Sequence, residues 1–278
     1  MLTVPALKAL LQANGLQLRK ALGQHYLTDR ACLSRIIRAC DVQAGETVIE
    51  LGAGLGALTD DLAERAAQVV AVELDPHISE LLRGRMVSRP NVQVVRGDLL
   101  ALDWGQWRDV VVIGAIPYQV TTPLLAALSE VRQRVRRVVL VIQAEVADRL
   151  MAKPGTKAYG RLTVLGQYGW VIERMLEVPR GAFFPQPRVD STCIRLLPRP
   201  APAVSVLNET AFFALVKAAF GQRRKTLINS LLGDQRSWGS RQELERALGQ
   251  IGLGLAVRGE TLSLEQFAAL ASRLPAPA

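Results

Sequence analysis

One stretch in the first half of the chain has the residue types and spacing of a nucleotide site. The apolar residues 47–51 include one carboxylate, Glu50, and lead into Gly52-Ala53-Gly54-Leu55-Gly56, after which Ala57 begins a helical pattern. A strand that ends in a glycine-rich turn and continues as a helix aims backbone N–H groups and a helix N-terminus at one place. Glycine suits this turn because a Cβ would block positive φ values and the close approach of a ligand. A tight turn without a ligand would have the same sequence, so the residues that follow must decide.

Two acidic residues further along favour a nucleotide ligand. Glu73 ends a second apolar run about 20 residues after Gly52, where a carboxylate can accept both hydroxyls of a ribose. Asp98 ends a third run and is placed to accept from an adenine amino group. Residues 52–57 also fit the loose G-x-G-x-x-G/A fingerprint of NAD enzymes. Against an NAD enzyme, the second half of the chain has no histidine that could assist a hydride transfer.

The fourth apolar run ends in Ala115-Ile116-Pro117-Tyr118, where the chemistry is predicted. Proline fixes the backbone and has no N–H, so nearby carbonyls can point into a cleft. Tyr118 has a flat face on which a base can stack, worth about 1–3 kcal/mol. Methyl transfer to an exocyclic amine suits such a site, because acceptors for the two amine hydrogens would pull the delocalised lone pair toward a nucleophilic form. Positioning and electrostatics would then provide most of the catalysis. A strand-to-turn proline with a buried tyrosine is the structural alternative.

Alternating strand and helix patterns after residue 46 position these residues. The predicted strands are 48–51, 69–73, 92–95, 110–113, 135–142, 169–178 and 191–197, and the helices between them 57–65, 77–85, 123–131, 144–151 and 162–169. This alternation is typical of a parallel sheet with helices on both faces, which binds ligands beyond the carboxyl ends of its strands. Gly52, Glu73, Asp98 and Ala115 all fall at that edge.

The two ends of the chain have other patterns. Helices predicted at 4–14 and 30–40 flank an irregular, basic segment that either wraps the core or covers a ligand in the glycine pocket. A proline-rich linker at 198–202 precedes helical patterns at 209–220, 225–232, 241–248 and 264–274. We therefore predict an α/β fold, with a mostly parallel, seven-stranded sheet in residues 1–198 and a small all-helical domain in residues 199–278.

Composition limits the possible classes of protein. With 278 residues, 49% of them hydrophobic, the chain can bury a large core, and no apolar run approaches the length of a membrane span. Three cysteines without CxxC spacing indicate reduced thiols in a cytoplasm, and two histidines without clustered carboxylates argue against a zinc or other metal site. The net charge of +9 favours a polyanionic partner.

Five motifs follow one another in a fixed order along the chain. They are Gly23-Gln24-His25-Tyr26-Leu27, residues 50–56, Gly97-Asp98, Ile116-Pro117-Tyr118 with Thr122-Pro123, and Phe183-Phe184-Pro185-Gln186-Pro187-Arg188-Val189. In this order they resemble the S-adenosylmethionine-dependent ribosomal RNA adenine N6-dimethyltransferases. Within that family, residues 219–227 are most similar to the bacterial enzymes that dimethylate two adjacent adenosines near the 3′ end of 16S rRNA. The resemblance covers nearly the whole chain.

The resemblance implies a Rossmann-like methyltransferase domain that uses S-adenosyl-L-methionine. The implied cofactor-binding residues are His25, Leu27, Gly52, Gly54, Glu73, Asp98 and Ala115. Gly52 would contact the methionine part, Glu73 the ribose and Asp98 the adenine amino group. The implied catalytic residues are Ala115, Ile116, Pro117, Tyr118 and Phe183. Tyr118 would stack on the target adenine, and Phe183 would face it from the other side.

Two positions depart from the family pattern. The family usually has Asn-Phe where this chain has His25-Tyr26, and Asn where this chain has Ala115. Alanine cannot accept a hydrogen bond from the adenine amino group. We therefore expect a chain that binds cofactor and RNA but methylates slowly or not at all.

The resemblance also implies the partners: 16S rRNA in the small ribosomal subunit or its precursor, no membrane, and a monomeric enzyme in the cytoplasm. The predicted RNA contacts are Arg223, Arg224 and Lys225 in the helical domain. A second run of cations, Arg132, Arg134, Arg136 and Arg137, is either a solvated face or a further set of phosphate contacts, and we favour the contacts. Two other functions remain open: a resistance-type 23S rRNA methyltransferase and a non-catalytic rRNA-binding assembly factor.

Overall fold

The computed structural model describes residues 3–16, 24–116 and 120–275. The chain forms two compact units, one of Met1–Ala147 with Val171–Pro198 and one of Asp148–Trp170 with Arg199–Ala278. The sequence-based division placed residues 148–170 in the first domain. They belong to the second unit because Tyr159, Val164 and Tyr168 are buried in its helical core.

The first unit is built on a seven-stranded sheet of order β4-β3-β2-β5-β6-β9-β7. The strands of the chain are β1 (Tyr26–Leu27), β2 (Thr47–Leu51), β3 (Gln68–Glu73), β4 (Val92–Arg96), β5 (Val110–Ala115), β6 (Val135–Gln143), β7 (Trp170–Val178), β8 (Phe183–Phe184) and β9 (Ser191–Pro198). The pairs β2–β3, β3–β4, β2–β5 and β5–β6 are parallel, and β6–β9 is antiparallel. The predicted mostly parallel sheet is confirmed.

Continuous β-branched runs explain the central strands. Val48, Ile49, Val111 and Val112 are fully buried, as expected for strands covered by helices on both faces. The strand order reverses between β2 and β5, where the connections leave in opposite directions and open a crevice at the carboxyl ends of the strands.

The helices that accompany this sheet are α1 (Val4–Ala13), α2 (Arg30–Cys40), α3 (Thr59–Ala63), α4 (Pro76–Arg85), α5 (Thr121–Glu130) and α6 (Ala144–Leu150). The predicted helix at 57–65 is shorter in the structure. Gly54 and Gly56 adopt φ values of 56° and 82°, so the glycine turn continues to Leu58 before α3 begins. Asp75 caps α4 by accepting hydrogen bonds from the N–H groups of His77 and Ile78.

The second unit is helical and contains α7 (Arg161–Gly169), α8 (Glu209–Ala219), α9 (Leu227–Leu232), α10 (Arg241–Gln250) and α11 (Leu264–Ala271). Ser240 and Ser263 begin α10 and α11 with capping boxes. Phe212, Leu215 and Phe267 are fully buried in its core. Across residues 3–16, 24–116 and 120–275, no helix combines the length and apolar character needed to cross a membrane.

Candidate active site

A cavity of about 160 Å³ lies at the carboxyl ends of β2, β3, β4 and β5, within the first unit. Its walls include nine of the predicted site residues: His25, Leu27, Gly52, Gly54, Glu73, Asp98, Ala115, Ile116 and Phe183. Pro117 and Tyr118, the other two predicted catalytic residues, lie outside the described residues. One cavity therefore collects the ends of four neighbouring strands, as the parallel topology requires.

The glycine turn folds back onto the neighbouring strand end. The N–H groups of Gly52 and Ala53 both donate to the Val72 carbonyl at 3.0 Å. The Gly54 N–H donates to Glu73 Oε2 at 2.8 Å. A Cβ on Gly54 would lie 3.1 Å from Cε1 of Tyr26, and its φ is positive, so only glycine fits without strain.

The Glu73 carboxylate is held by two backbone N–H groups. Besides Gly54, the Asp75 N–H donates to Oε1 at 2.9 Å. Burial raises the pKa of Glu73, the two N–H bonds lower it, and the charge of Asp75 raises it, with a net upward shift. Each carboxylate oxygen keeps a second lone pair, so both can still accept from the hydroxyls of a ribose.

Asp98 lies at the exposed rim of the same cavity. Its Oδ1 accepts the Leu100 N–H at 2.9 Å, which fixes the carboxylate in the turn after β4. Oδ2 remains as an acceptor for an amino group at the rim. This geometry suits the predicted contact with an adenine.

Glu50 is a cavity residue that the sequence-based site prediction omitted. Its side chain is only 1% exposed, and Thr59 Oγ1 donates to its Oε2 at 2.6 Å. The pKa of Glu50 is raised to about 8, chiefly by burial; the Thr59 hydrogen bond acts against this shift, and the charges of Glu73 and Asp60 add to it. The signal in the sequence was a carboxylate inside an otherwise apolar strand.

The N-terminal segment forms one wall of the cavity. β1 pairs antiparallel with β8, which places Leu27 beside Phe183. His25 Nδ1 lies 2.7 Å from the Pro185 carbonyl oxygen, and because a carbonyl only accepts, Nδ1 carries the proton. The Tyr26 hydroxyl is buried and has no hydrogen-bond partner among the described residues. Residues 24–27 of this segment line the cavity, whereas its basic residues Arg19 and Lys20 lie outside the described residues, so both alternatives for the segment stay predictions.

The sequence profile of the ribosomal RNA adenine dimethylase family matches residues 15–274. This chain belongs to that family. A "Ribosomal RNA small subunit methyltransferase A" from Bacillus mycoides is 42% identical over 276 residues, which covers 96% of this chain and 94% of that protein. The protein of the same name from Bacillus cereus strain B4264 matches to the same extent.

Solved structures show the same fold as this dimethylase-family chain. The 23S rRNA methyltransferase ErmE is 30% identical, with a TM-score of 0.68, covering 90% of this chain and 99% of that one. A dimethyladenosine transferase from Plasmodium falciparum has a TM-score of 0.75 at 24% identity, covering 88% and 95%. The Rossmann-like methyltransferase fold predicted from the sequence is confirmed.

In this dimethylase-family chain, Arg137 of the second run of cations is not a phosphate contact, so the prediction is wrong for this residue. Its side chain is buried, and it donates from Nη1 to Glu46 Oε1 at 2.7 Å and from Nη2 to Glu46 Oε2 at 2.5 Å. Arg136 pairs with Asp109, and Arg134 Nη1 donates to the Gly105 carbonyl at 3.2 Å. Arg137 therefore stabilises the first unit, and Arg134 and Arg136 each have a partner within it.

Arg223 has internal partners in the second unit. Its Nη2 donates to the carbonyls of Lys157 at 2.9 Å and Tyr159 at 3.3 Å, and lies 3.3 Å from Glu260 Oε2. The neighbouring side chains Arg224 and Lys225 are exposed. The Arg223 side chain is itself 48% exposed, so all three predicted RNA contacts are accessible to a polyanion, and Arg223 in addition contacts the loop before α7.

Proposed function

We propose that this chain transfers methyl groups from S-adenosyl-L-methionine to N6 of two adjacent adenosines near the 3′ end of 16S rRNA, in the small ribosomal subunit or its precursor. The observation that carries this proposal is the convergence of the glycine turn, Glu73, Asp98 and Ala115-Ile116 on one cavity. Relatives named for the small subunit are 42% identical over 96% of the chain, whereas ErmE, named for 23S rRNA, is 30% identical. This difference favours the 16S substrate over the 23S alternative.

The residues of the cavity fit an adenosine-containing cofactor. Asp98 Oδ2 would accept from the adenine amino group, the two oxygens of Glu73 would accept the ribose hydroxyls, and Gly52 and Gly54 would leave room for the methionine part. When bound, S-adenosyl-L-methionine supplies an electrophilic methyl group. The chain's own contribution is to hold cofactor and target adenine in register and to exclude water.

The target base would enter beside the end of β5. We propose that Tyr118 stacks on it, that Phe183 faces it from the other side, and that a backbone carbonyl of the Ile116-Pro117 segment accepts one amine hydrogen. Ala115 removes the usual acceptor for the other hydrogen, so transfer in this chain would be slow. Alanine in place of the family's asparagine at position 115 also fits a second function, that of an rRNA-binding assembly factor without catalytic activity.

Cofactor binding and product mapping test the proposal. S-adenosyl-L-methionine is expected to bind with micromolar-range affinity while NAD does not, and Asp98→Ala to weaken binding by about tenfold, as expected for one lost hydrogen bond to a charged group. Calorimetry measures both.

Extended incubation of excess enzyme with unmethylated small subunits and tritiated cofactor should place label on two adjacent adenosines of 16S rRNA. Tight NAD binding would refute the cofactor assignment. Label elsewhere in 16S rRNA, or on 23S rRNA in a parallel assay with large subunits, would refute the substrate assignment. No label at all from a protein that still binds small subunits would favour the assembly factor.

We propose that the helical unit binds rRNA phosphates through Arg224 and Lys225, with Arg223 bracing the loop at 153–160. Replacing Arg224 and Lys225 by Ala should flatten the plot of log affinity against log salt by roughly 0.7 to 0.9 per residue. Arg223→Lys keeps the charge but cannot span two carbonyls and a carboxylate, so it should lower the melting temperature. Arg224→Lys is the matched control and should leave both measurements unchanged. An Arg223→Lys protein with unchanged stability would show that Arg223 is not a brace.

A further inference from the structure

Three arginines of the first unit lie beside the part of the cavity wall that contains Phe183, and we call them the arginine rim: Arg30, Arg180 and Arg188. Each is three residues away along the chain from a residue that lines the cavity. The pairs are Arg30 with Leu27, Arg180 with Phe183, and Arg188 with Ser191. The three arginine side chains are exposed and are not part of the lining. The arginine rim therefore lies at the edge of the cavity.

Hydrogen bonds bring the segments that carry the arginine rim together. The N–H groups of Thr28 and Asp29 donate to the Ala182 carbonyl at 2.8 and 3.2 Å, which joins the start of α2 to the segment before β8. Arg180 Nη1 lies 3.5 Å from the Arg188 carbonyl oxygen, across the loop between β7 and β9. These contacts place the three cations on one side of the cavity.

The charge of the arginine rim is not neutralised by its own segments. The side chains of Arg30 and Arg188 have no hydrogen-bond or ion-pair partner within the part of the chain that the structure describes. The acidic residues in 24–30 and 179–191 are Asp29 and Asp190, and one oxygen of each accepts a backbone N–H, at 2.7 and 2.9 Å. The exposed guanidinium groups are therefore free to bind an anion.

The cavity beside the arginine rim has the opposite charge. Glu73 and Asp98 contribute carboxylates to its wall, and no lysine or arginine is among the described residues that line it. Such carboxylates repel an RNA backbone that brings a base toward the cavity. Cations at the edge offset this repulsion where the phosphates pass, and they leave the interior to an uncharged base.

We propose that the arginine rim binds the RNA phosphates that flank the target adenosine. This inference rests on the proposed function, because it takes an adenosine of rRNA as the substrate. A base that leaves its stack and enters a pocket keeps its own backbone at the edge of that pocket. The planar guanidinium group binds a phosphate through two N–H groups, and such contacts fix register without reading sequence. The arginine rim would hold the backbone while the base enters beside Phe183.

The opposite edge of the sheet offers a matched control pair, Arg38 and Arg108. Both side chains are exposed and have no hydrogen-bond or ion-pair partner among the described residues. Arg108 lies just before β5, at the amino end of that strand, and Arg38 lies in the last turn of α2, whereas Arg30 begins the same helix. The cavity is at the carboxyl ends of the strands, so the control pair is distant from it.

The salt dependence of binding to unmethylated small subunits tests the proposal. Arg30→Gln with Arg188→Gln should weaken binding roughly tenfold at physiological salt and flatten the plot of log affinity against log salt by about 1.4, at about 0.7 per lost contact to a single strand. Adding Arg180→Gln should flatten it by about 0.7 more. Arg38→Gln with Arg108→Gln should leave the slope unchanged, and S-adenosyl-L-methionine affinity should be the same in all these proteins.

An unchanged slope in Arg30→Gln with Arg188→Gln, or an equal flattening in the control pair, would overturn the proposal. Failure of the unmodified chain to bind small subunits would instead refute the proposed function on which the inference rests.

A second measurement locates the contact independently of affinity. The three native cysteines are buried, so an iron chelate that cleaves nearby RNA can be attached selectively at Arg188→Cys. It should cut the 16S rRNA backbone next to the adenosines that receive label in the methylation assay, whereas the same chelate at Arg108→Cys should leave that site intact. Cuts from position 188 only at a distance from the labelled adenosines would overturn the proposal and leave the proposed function in place.

Discussion

Replacing Ala115 by Asn is expected to raise single-turnover methylation by about tenfold or more, and by up to about a hundredfold if the full effect of one lost acceptor, about 3 kcal/mol, is recovered. As the methyl group arrives, the target amine loses its conjugation with the ring and its hydrogens become more acidic. An amide oxygen at position 115 would accept one of them more strongly in the transition state than in the ground state. Only such an interaction raises the rate of the chemical step.

The structure puts position 115 where this acceptor would act. Ala115 is the last residue of β5, pairs with Val141 of β6 and lies in the cavity wall. The preceding residue of the strand, Gly114, has no room for a side chain, because a Cβ there would lie 2.7 Å from the Leu51 carbonyl oxygen. A larger side chain at 115 can extend into the cavity instead of into the sheet.

Ala115→Leu is the matched control, because leucine has nearly the shape of asparagine and no acceptor. It should methylate no faster than the unmodified chain. The affinities for cofactor and for rRNA should stay similar in all three proteins, since the change acts on the transition state. Equal single-turnover rates for Ala115→Asn and the unmodified chain would show that the acceptor is dispensable in this scaffold.

The carboxyl edge of the sheet could be predicted from the sequence because its parts are local. Each apolar run indicates where its own strand ends, at Gly52, Glu73, Asp98 or Ala115. The parallel topology then brings those four strand ends to one edge of the sheet. The cavity collects all four, so the arrangement of these side chains follows from strand order alone.

Partners distant in sequence could not be predicted in this way. Arg137 and Glu46 are 91 residues apart, and nothing near Arg137 distinguishes it from the exposed arginines of the same run. Arg223 likewise donates to the carbonyl of Lys157, 66 residues earlier, and no local pattern indicates this contact. Which cation of a basic run is solvated and which is buried depends on the element packed against it, and a single sequence does not specify that contact.

Replacing Arg137 by Met is expected to destabilise the protein by about 3 kcal/mol, because it leaves the buried Glu46 carboxylate with only the half-exposed Arg136 as a neighbouring cation. The guanidinium donates to both Glu46 oxygens, from Nε to the Cys40 carbonyl at 2.9 Å and from Nη2 to the Asp41 carbonyl at 2.6 Å. It therefore joins the end of α2 to the strands of the sheet. Urea unfolding followed by circular dichroism measures the loss.

The matched control is Arg136→Met, one residue away. Arg136 pairs with Asp109 and lies 3.5 Å from Glu46 Oε1, but its side chain is 49% exposed. Solvent screens its interactions, so its removal should cost much less than that of Arg137. Similar losses of unfolding free energy in Arg136→Met and Arg137→Met would show that burial does not determine how much an ion pair with Glu46 stabilises the protein.

The effect of Arg137→Met should also depend on pH. Burial alone would raise the pKa of Glu46, but its hydrogen bonds to Arg137 and the Gln43 N–H lower it below the ordinary value. A folded-state pKa below the unfolded one adds stability at neutral pH, and this contribution is lost as the pH falls through the acidic range. In Arg137→Met, burial dominates and Glu46 protonates more readily, so the difference between the two proteins should shrink as the pH is lowered.

Removing both partners separates the charge from the packing. Glu46→Gln together with Arg137→Met leaves no buried ion, so the double variant should recover most of the stability lost in Arg137→Met at neutral pH. Recovery should be incomplete, because the Cys40 and Asp41 carbonyls still lack their donor. A double variant as unstable as Arg137→Met would mean that the carbonyl bonds, and not the carboxylate, account for the loss.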